Sequence, residues 1–193
     1  MKTYSKTEIE KIGNAIVFFA ERISDLSKTK LLKLIYITEE IFVRNYNIPM
    51  LGLEFDIWQA GPVSRDIYID LSDEQPTLLS DYIKTVSNEK ATYIQPLLSF
   101  SDDEFSDNEI GVLELVCDKF GGMTAKELVK YTHKRNSLWY KIAKEKGLLE
   151  AFELGISKSS DEKIDFTRVL DEKGLETYME QIRFKELVRA INC

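Results

Sequence analysis

The run KTKLLKLIYITEEIFVRNY, residues 28–46, constrains this chain more than any other stretch. Wound as a helix, it spreads Leu31, Leu32, Leu34, Ile35, Ile37 and Phe42 almost all the way round the wheel. Only a narrow polar stripe remains, through Lys33, Glu40 and Arg44. A helix that is apolar on nearly every side needs partners on several faces, so this one belongs in the middle of a domain. Ser27 is a suitable N-cap, and Asn47 followed by Pro49 stops the helix. Leu53 to Trp58 then alternates in strand fashion, and Ala60-Gly61-Pro62-Val63 breaks the strand. Pro62 suits the first turn of a helix, so the spacing predicts a short second helix from Val63 to Leu71.

The flanking segments supply partners for the central helix. Residues 7–24 carry Ile9, Ile12, Ile16 and Ile23 at helical spacing, with Thr7 and Glu10 spaced as a capping box. Tyr82–Val86 and Ala91–Ile94 read as the two arms of a hairpin, which needs a third strand or a helix to lie against. Ser106, Thr124 and Ser137 each cap a helix, ending near Phe120, His133 and Lys146. A strand at Lys163–Phe166 and one or two helices between Arg168 and Ile191 complete the chain. The expected fold is α+β and predominantly α-helical: a multi-helix bundle around the central buried helix 28–46, with a small antiparallel β-sheet built from 53–59, 81–86 and 91–95. All 193 residues form one domain on this reading, with 150–193 as a C-terminal extension packed on the rest.

Charge narrows the partners. With 26 basic and 33 acidic side chains the net charge is −7, which works against a phosphate backbone, so nucleic acid is not the expected partner. The distribution is uneven: residues 101–118 hold seven acids and no base, whereas residues 119–147 hold eight bases against Glu127 and Glu145. Such blocks are either solvated helix faces or opposed patches that steer a charged protein. The opening MKTYSKTEIEK lacks the basic start and apolar run of a secretory signal, and no apolar stretch approaches the ~18 residues of a membrane span. Cys117 and Cys193 are too few and too far apart for a disulfide framework, so a reducing cytoplasm is expected and a membrane is not.

Few residues invite chemistry. Glu39 lies among Leu32, Ile35, Val43 and Tyr46 on the wheel, and a buried carboxylate must be hydrogen-bonded, paired or protonated. It is either a ligand or proton-transfer group, or a structural acceptor for backbone amides, Arg65 or His133; the lack of a second carboxylate at acid–base spacing favours the structural reading. His133 is the only histidine, without metal-ligand spacing to either cysteine and without a nucleophile elbow. Gly61-Pro62-Val63 lacks a phosphate-loop pattern, and Pro62 removes a donor. No catalytic, cofactor-binding or metal-binding residue is therefore expected. Trp58 and Trp139 are either core or interface anchors.

The blocks KLLKLIYITEEIF with Pro49, then Trp58-Gln59-Ala60-Gly61-Pro62-Val63 with Ile67-Tyr68, then Leu128-Val129-Lys130-Tyr131-Thr132-His133 with Trp139, stand in order over about residues 12–145. In this the chain resembles the Panacea (SocA-like) antitoxin domain family. Ala60 departs from it, since members usually carry Tyr or His before Gly-Pro. The resemblance implies an antitoxin that binds and neutralises a protein toxin encoded nearby without doing chemistry; in SocA-like members the same contact delivers the toxin to a bacterial protease. It also marks Trp58, Gly61, Pro62, Val63, Tyr68, His133 and Trp139 as motif or partner-binding residues, with Glu39 as a buried polar pin. Two other readings stay open: a DNA-binding regulator using Lys126–Lys146 as a helix-turn-helix pair, and a hydrolase centred on Glu39 and His133.

Overall fold

The computed structural model describes residues 3–73 and 76–191, so Cys193 lies outside the described residues. Helix α1 runs Lys6–Arg22. Its capping box is formed by Ser5 and Glu8, two residues before the expected one: the Ser5 hydroxyl accepts from the Glu8 amide at 3.2 Å, and the Glu8 carboxylate accepts from the Ser5 amide at 2.9 Å. The two overlapping boxes compete, and the earlier one lengthens the helix.

Helix α2 is Lys28–Tyr46, capped by the Ser27 hydroxyl on the Lys30 amide at 3.3 Å. Asn47 ends it in the left-handed conformation at φ 58°, with its N–H on the Val43 carbonyl. Every residue from Lys30 to Glu39 is buried, the two lysines included. Leu31, Leu34 and Ile35 are fully enclosed, so truncating any one to alanine costs about 2–5 kcal/mol.

Next come strands β1 (Asp56–Trp58) and β2 (Gly61–Val63), paired antiparallel with Asp56 opposite Val63 and Trp58 opposite Gly61. Gly-Pro-Val is therefore a strand, not the start of a helix, and helix α3 begins only at Arg65 and runs to Asp70. The reason lies in the register. Ile57 faces Pro62 in a pair whose N–H and C=O groups point away from the hairpin, so proline's missing N–H costs no ladder bond.

Strands β3 (Ile83–Ser87) and β4 (Thr92–Pro96) form a second hairpin. Among the described residues the expected three-stranded sheet does not form; there are two separate two-stranded sheets. Both edges of β1 are already occupied. On one side lies β2, and on the other the Ile57 N–H donates to Glu162 O at 2.8 Å and Ile164 N–H to Phe55 O at 2.7 Å. The β3–β4 hairpin instead packs chiefly on α1 and on the connection from α1 to α2, with Ile94 N–H on Leu26 O at 2.9 Å.

The remaining helices are α4 (Asp107–Phe120), α5 (Ala125–Thr132), α6 (Leu138–Glu145), α7 (Leu148–Glu153) and α8 (Glu172–Ile191). Capping boxes at Ser106 with Glu109 and Thr124 with Glu127 start α4 and α5 where the sequence puts them. The expected strand at 163–166 shrinks to one bridge, Lys163 to Asp56, followed by a 3₁₀ turn at Phe166–Val169. Phe166 stacks on Tyr36 and meets Phe55 edge-on, so the tail contributes to the same core as α1, α2 and α4. Among the described residues no helix is long and apolar enough to cross a membrane.

A candidate interaction site where three sequence blocks meet

Pro62 presents its carbonyl away from β1, and α2 answers it. The buried amine of Lys33 donates to Pro62 O at 2.8 Å. Burial pushes that amine down to about 7, so near neutrality it shares its proton between charged and uncharged forms. Lys33 belongs to the polar stripe on the wheel, but its end of the stripe is roofed by β2. That role was invisible in the sequence, because it depends on where one distant carbonyl points.

The corner between α5 and α6 closes on the other face of the same turn. His133 sits with Nδ1 at 2.6 Å from Val129 O and Nε2 at 2.9 Å from Gln59 O. A carbonyl only accepts, so the ring satisfies both at once only with a proton on each nitrogen. The Trp139 indole lies over the histidine, centroids 3.8 Å apart, and its N–H donates to Trp58 O at 3.1 Å. Gly61, at φ +99°, leaves no room for a side chain: an added Cβ would stand 2.8 Å from Thr132 Oγ1 and 3.1 Å from Lys33 Cε. Trp58 meets Tyr68 edge-on at 4.9 Å, and Lys28 lies 4.3 Å from the Tyr68 ring centroid.

The structure thus gathers Trp58, Gly61, Pro62, Val63, Tyr68, His133 and Trp139 around one two-residue turn, Gln59-Ala60. Gly61, Pro62, Val63 and Trp139 are buried, Trp58, Tyr68 and His133 are half-buried, and only Gln59 and Ala60 are exposed. Glu39 stands apart. Its carboxylate is buried and accepts from the amides of Met50, Leu51 and Gly52 at 3.1, 2.8 and 3.3 Å. Burial raises its pKa, while those amides and the Lys185 charge pull it back. Neither Arg65 nor His133 reaches it; Arg65 donates to Asp56 at 2.7 Å and His133 serves the turn.

Asp56 is the residue that sequence reasoning missed. It is fully buried in β1 and holds Arg65 and Lys163 at 2.6 Å each, with Arg65 also bonded to Asp161. In the alternation Leu53–Trp58 it shares the polar positions with Glu54 and so reads as outward-facing, and its second cation lies 107 positions away.

The family model for antitoxin SocA-like Panacea domains matches residues 31–140, and the chain belongs to that family. Membership supports a role connected with toxin–antitoxin systems. Comparison with curated proteins and with solved structures gave no match.

Proposed function

We propose that this chain is an antitoxin that neutralises a protein toxin encoded nearby by direct contact, catalysing no reaction itself and working in the cytoplasm as one domain. The observation that carries the reading is the use of the family's signature side chains. Nε2 of His133, the indole N–H of Trp139 and the amine of Lys33 each meet a main-chain carbonyl of the Trp58–Pro62 turn, and Nδ1 of His133 ties the ring to Val129 O of α5. Groups committed in this way hold a surface in shape rather than turn over a substrate. The turn then offers Gln59 and Ala60, flanked by Trp58 and Tyr68, as a rigid contact. Phe184 and Leu187, both more than half exposed on α8, add a second apolar patch that a protein partner would cover.

The test is rescue. A neighbouring reading frame from the source genome is expressed alone and together with this chain. Death alone and growth together, with the two proteins co-purifying, supports direct neutralisation. Rescue without co-purification, or rescue that requires a host protease, moves the mechanism to delivery of the toxin for degradation. A neighbour that is harmless alone removes the reading.

A further inference from the structure

A cavity of about 460 Å³ opens between α2 and the α5–α6 corner, on the side of α2 that carries the polar stripe. This falls within the ~300–1,000 Å³ typical of ligand pockets. Tyr36, Glu40 and Arg44 form one wall, and Tyr131, Lys134 and Lys141 the other, with Ile37 and Ile41 supplying apolar surface. Arg44, Lys134 and Lys141 oppose Glu40 alone, so the recess is cationic on a chain whose net charge is −7.

The donors here outnumber their partners. Arg44 donates to Glu40 through Nε and Nη2 at 3.0 and 2.6 Å. Lys134 lies 4.3 Å from the Tyr131 ring centroid, a contact that uses none of its N–H groups, and neither Lys134 nor Lys141 makes an ion pair among the described residues. The Tyr36 hydroxyl is buried and faces the Glu40 carboxylate. Burial, and then the charge and hydrogen bond of Glu40, hold that phenol well above its usual range, so it remains a donor.

We propose that this cavity receives the carboxylate of an acidic side chain from a peptide segment of the partner protein, with a neighbouring apolar side chain lying on Ile37 and Ile41. The inference deepens the neutralisation reading, and rests on it only for the partner being the toxin. A single recess that joins cations to apolar surface suits one acidic side chain and its apolar neighbour. A nucleic-acid strand would need cations along a track, against the repulsion of the whole chain.

The experiment is a titration of the isotope-labelled full chain, followed by amide NMR shifts at low salt. The probes are the blocked peptide Leu-Glu-Leu-Glu, its Leu-Gln-Leu-Gln counterpart, inorganic phosphate and a short single-stranded DNA. The Glu peptide is expected to shift Tyr36 and the amides from Tyr131 to Lys141, and the Gln peptide is not. Because Lys134 and Lys141 are exposed, the double variant Lys134→Glu/Lys141→Glu should fold and lose about tenfold or more in affinity. Tyr36→Phe, which keeps every charge, should lose a few-fold. No shift with the Glu peptide, equal shifts with the Gln peptide, or tighter binding of phosphate or DNA overturns the proposal. The titration uses no toxin, so a positive result beside a failed rescue sinks only the toxin reading.

Discussion

Lys33 and Pro62 stand 29 positions apart, and the amine of the first donates to the carbonyl of the second at 2.8 Å, both out of contact with water. That bond fixes β2 on α2, and it places a titratable amine where charge is costly. In the unfolded chain the amine titrates near 10.5, in the folded chain near 7. Between those values the unfolded state holds a proton that the folded state lacks. Stability therefore rises with pH across the window, by up to ~1.4 kcal/mol per pH unit, and the full penalty is present below it. Urea unfolding of the wild type and Lys33→Met near pH 7.5 and about pH 9.5 checks this. The wild type should gain on the variant at the higher pH; parallel behaviour would remove the buried amine from the account.

Gly61 has φ +99° and a would-be Cβ 2.8 Å from Thr132 Oγ1, whereas Gly147 has φ +68° and open space around it. Gly61→Ala should cost about 2–4 kcal/mol, from strain plus a clash with packed neighbours, and Gly147→Ala about 1 kcal/mol from conformation alone. Thermal unfolding of the two variants side by side separates these contributions. Equal losses would mean that the α5 side of the turn can yield.

Glu39 takes three amide donors on two oxygens. Glu39→Gln keeps the shape but turns an NH₂ toward at least one of those N–H groups. The loss should be about 2–3 kcal/mol, the range for a charge-assisted bond exchanged for an unsatisfied buried donor. Faster amide exchange at Met50–Gly52, with the His133 environment unchanged by NMR, would localise the effect. Retained stability would mean that the loop re-forms around the amide.

Phe184 and Leu187 are 60 % and 63 % exposed on α8. The variant Phe184→Glu/Leu187→Glu should unfold within about 0.5 kcal/mol of wild type, as surface changes do, yet lose rescue of the toxin by tenfold or more. Plating efficiency on toxin induction gives the readout. Full rescue by the variant would assign the contact to another face.

Much of this fold is written locally. The apolar run of α2 needs burial on every side and receives it, and Ser27, Ser106, Thr124 and Ser137 start their helices because a side-chain cap is a contact over three residues. The turn differs from its expected form because Pro62 satisfies two local rules, first helical turn or outward-facing strand position. The choice between them depends on pairing with β1, whose far edge is filled by residues about a hundred positions later. The same distance hid Asp56 and its cation Lys163. For the site, the motif residues could be named in advance, but not that Lys33 would join them. Burial of an amine is decided by the carbonyl it meets, and no periodicity carries that information.

The strip of chain that closes the outer edge of β1 comes from residues 162–164, beyond the stretch that the family model covers, and so does the ring of Phe166 that fills the space beside Tyr36. Excising residues 31–140 as a minimal unit would bare a row of strand hydrogen-bonding groups and an aromatic hollow at once. Such a fragment would seek a substitute strand, and the most abundant one in its tube would be another copy of itself.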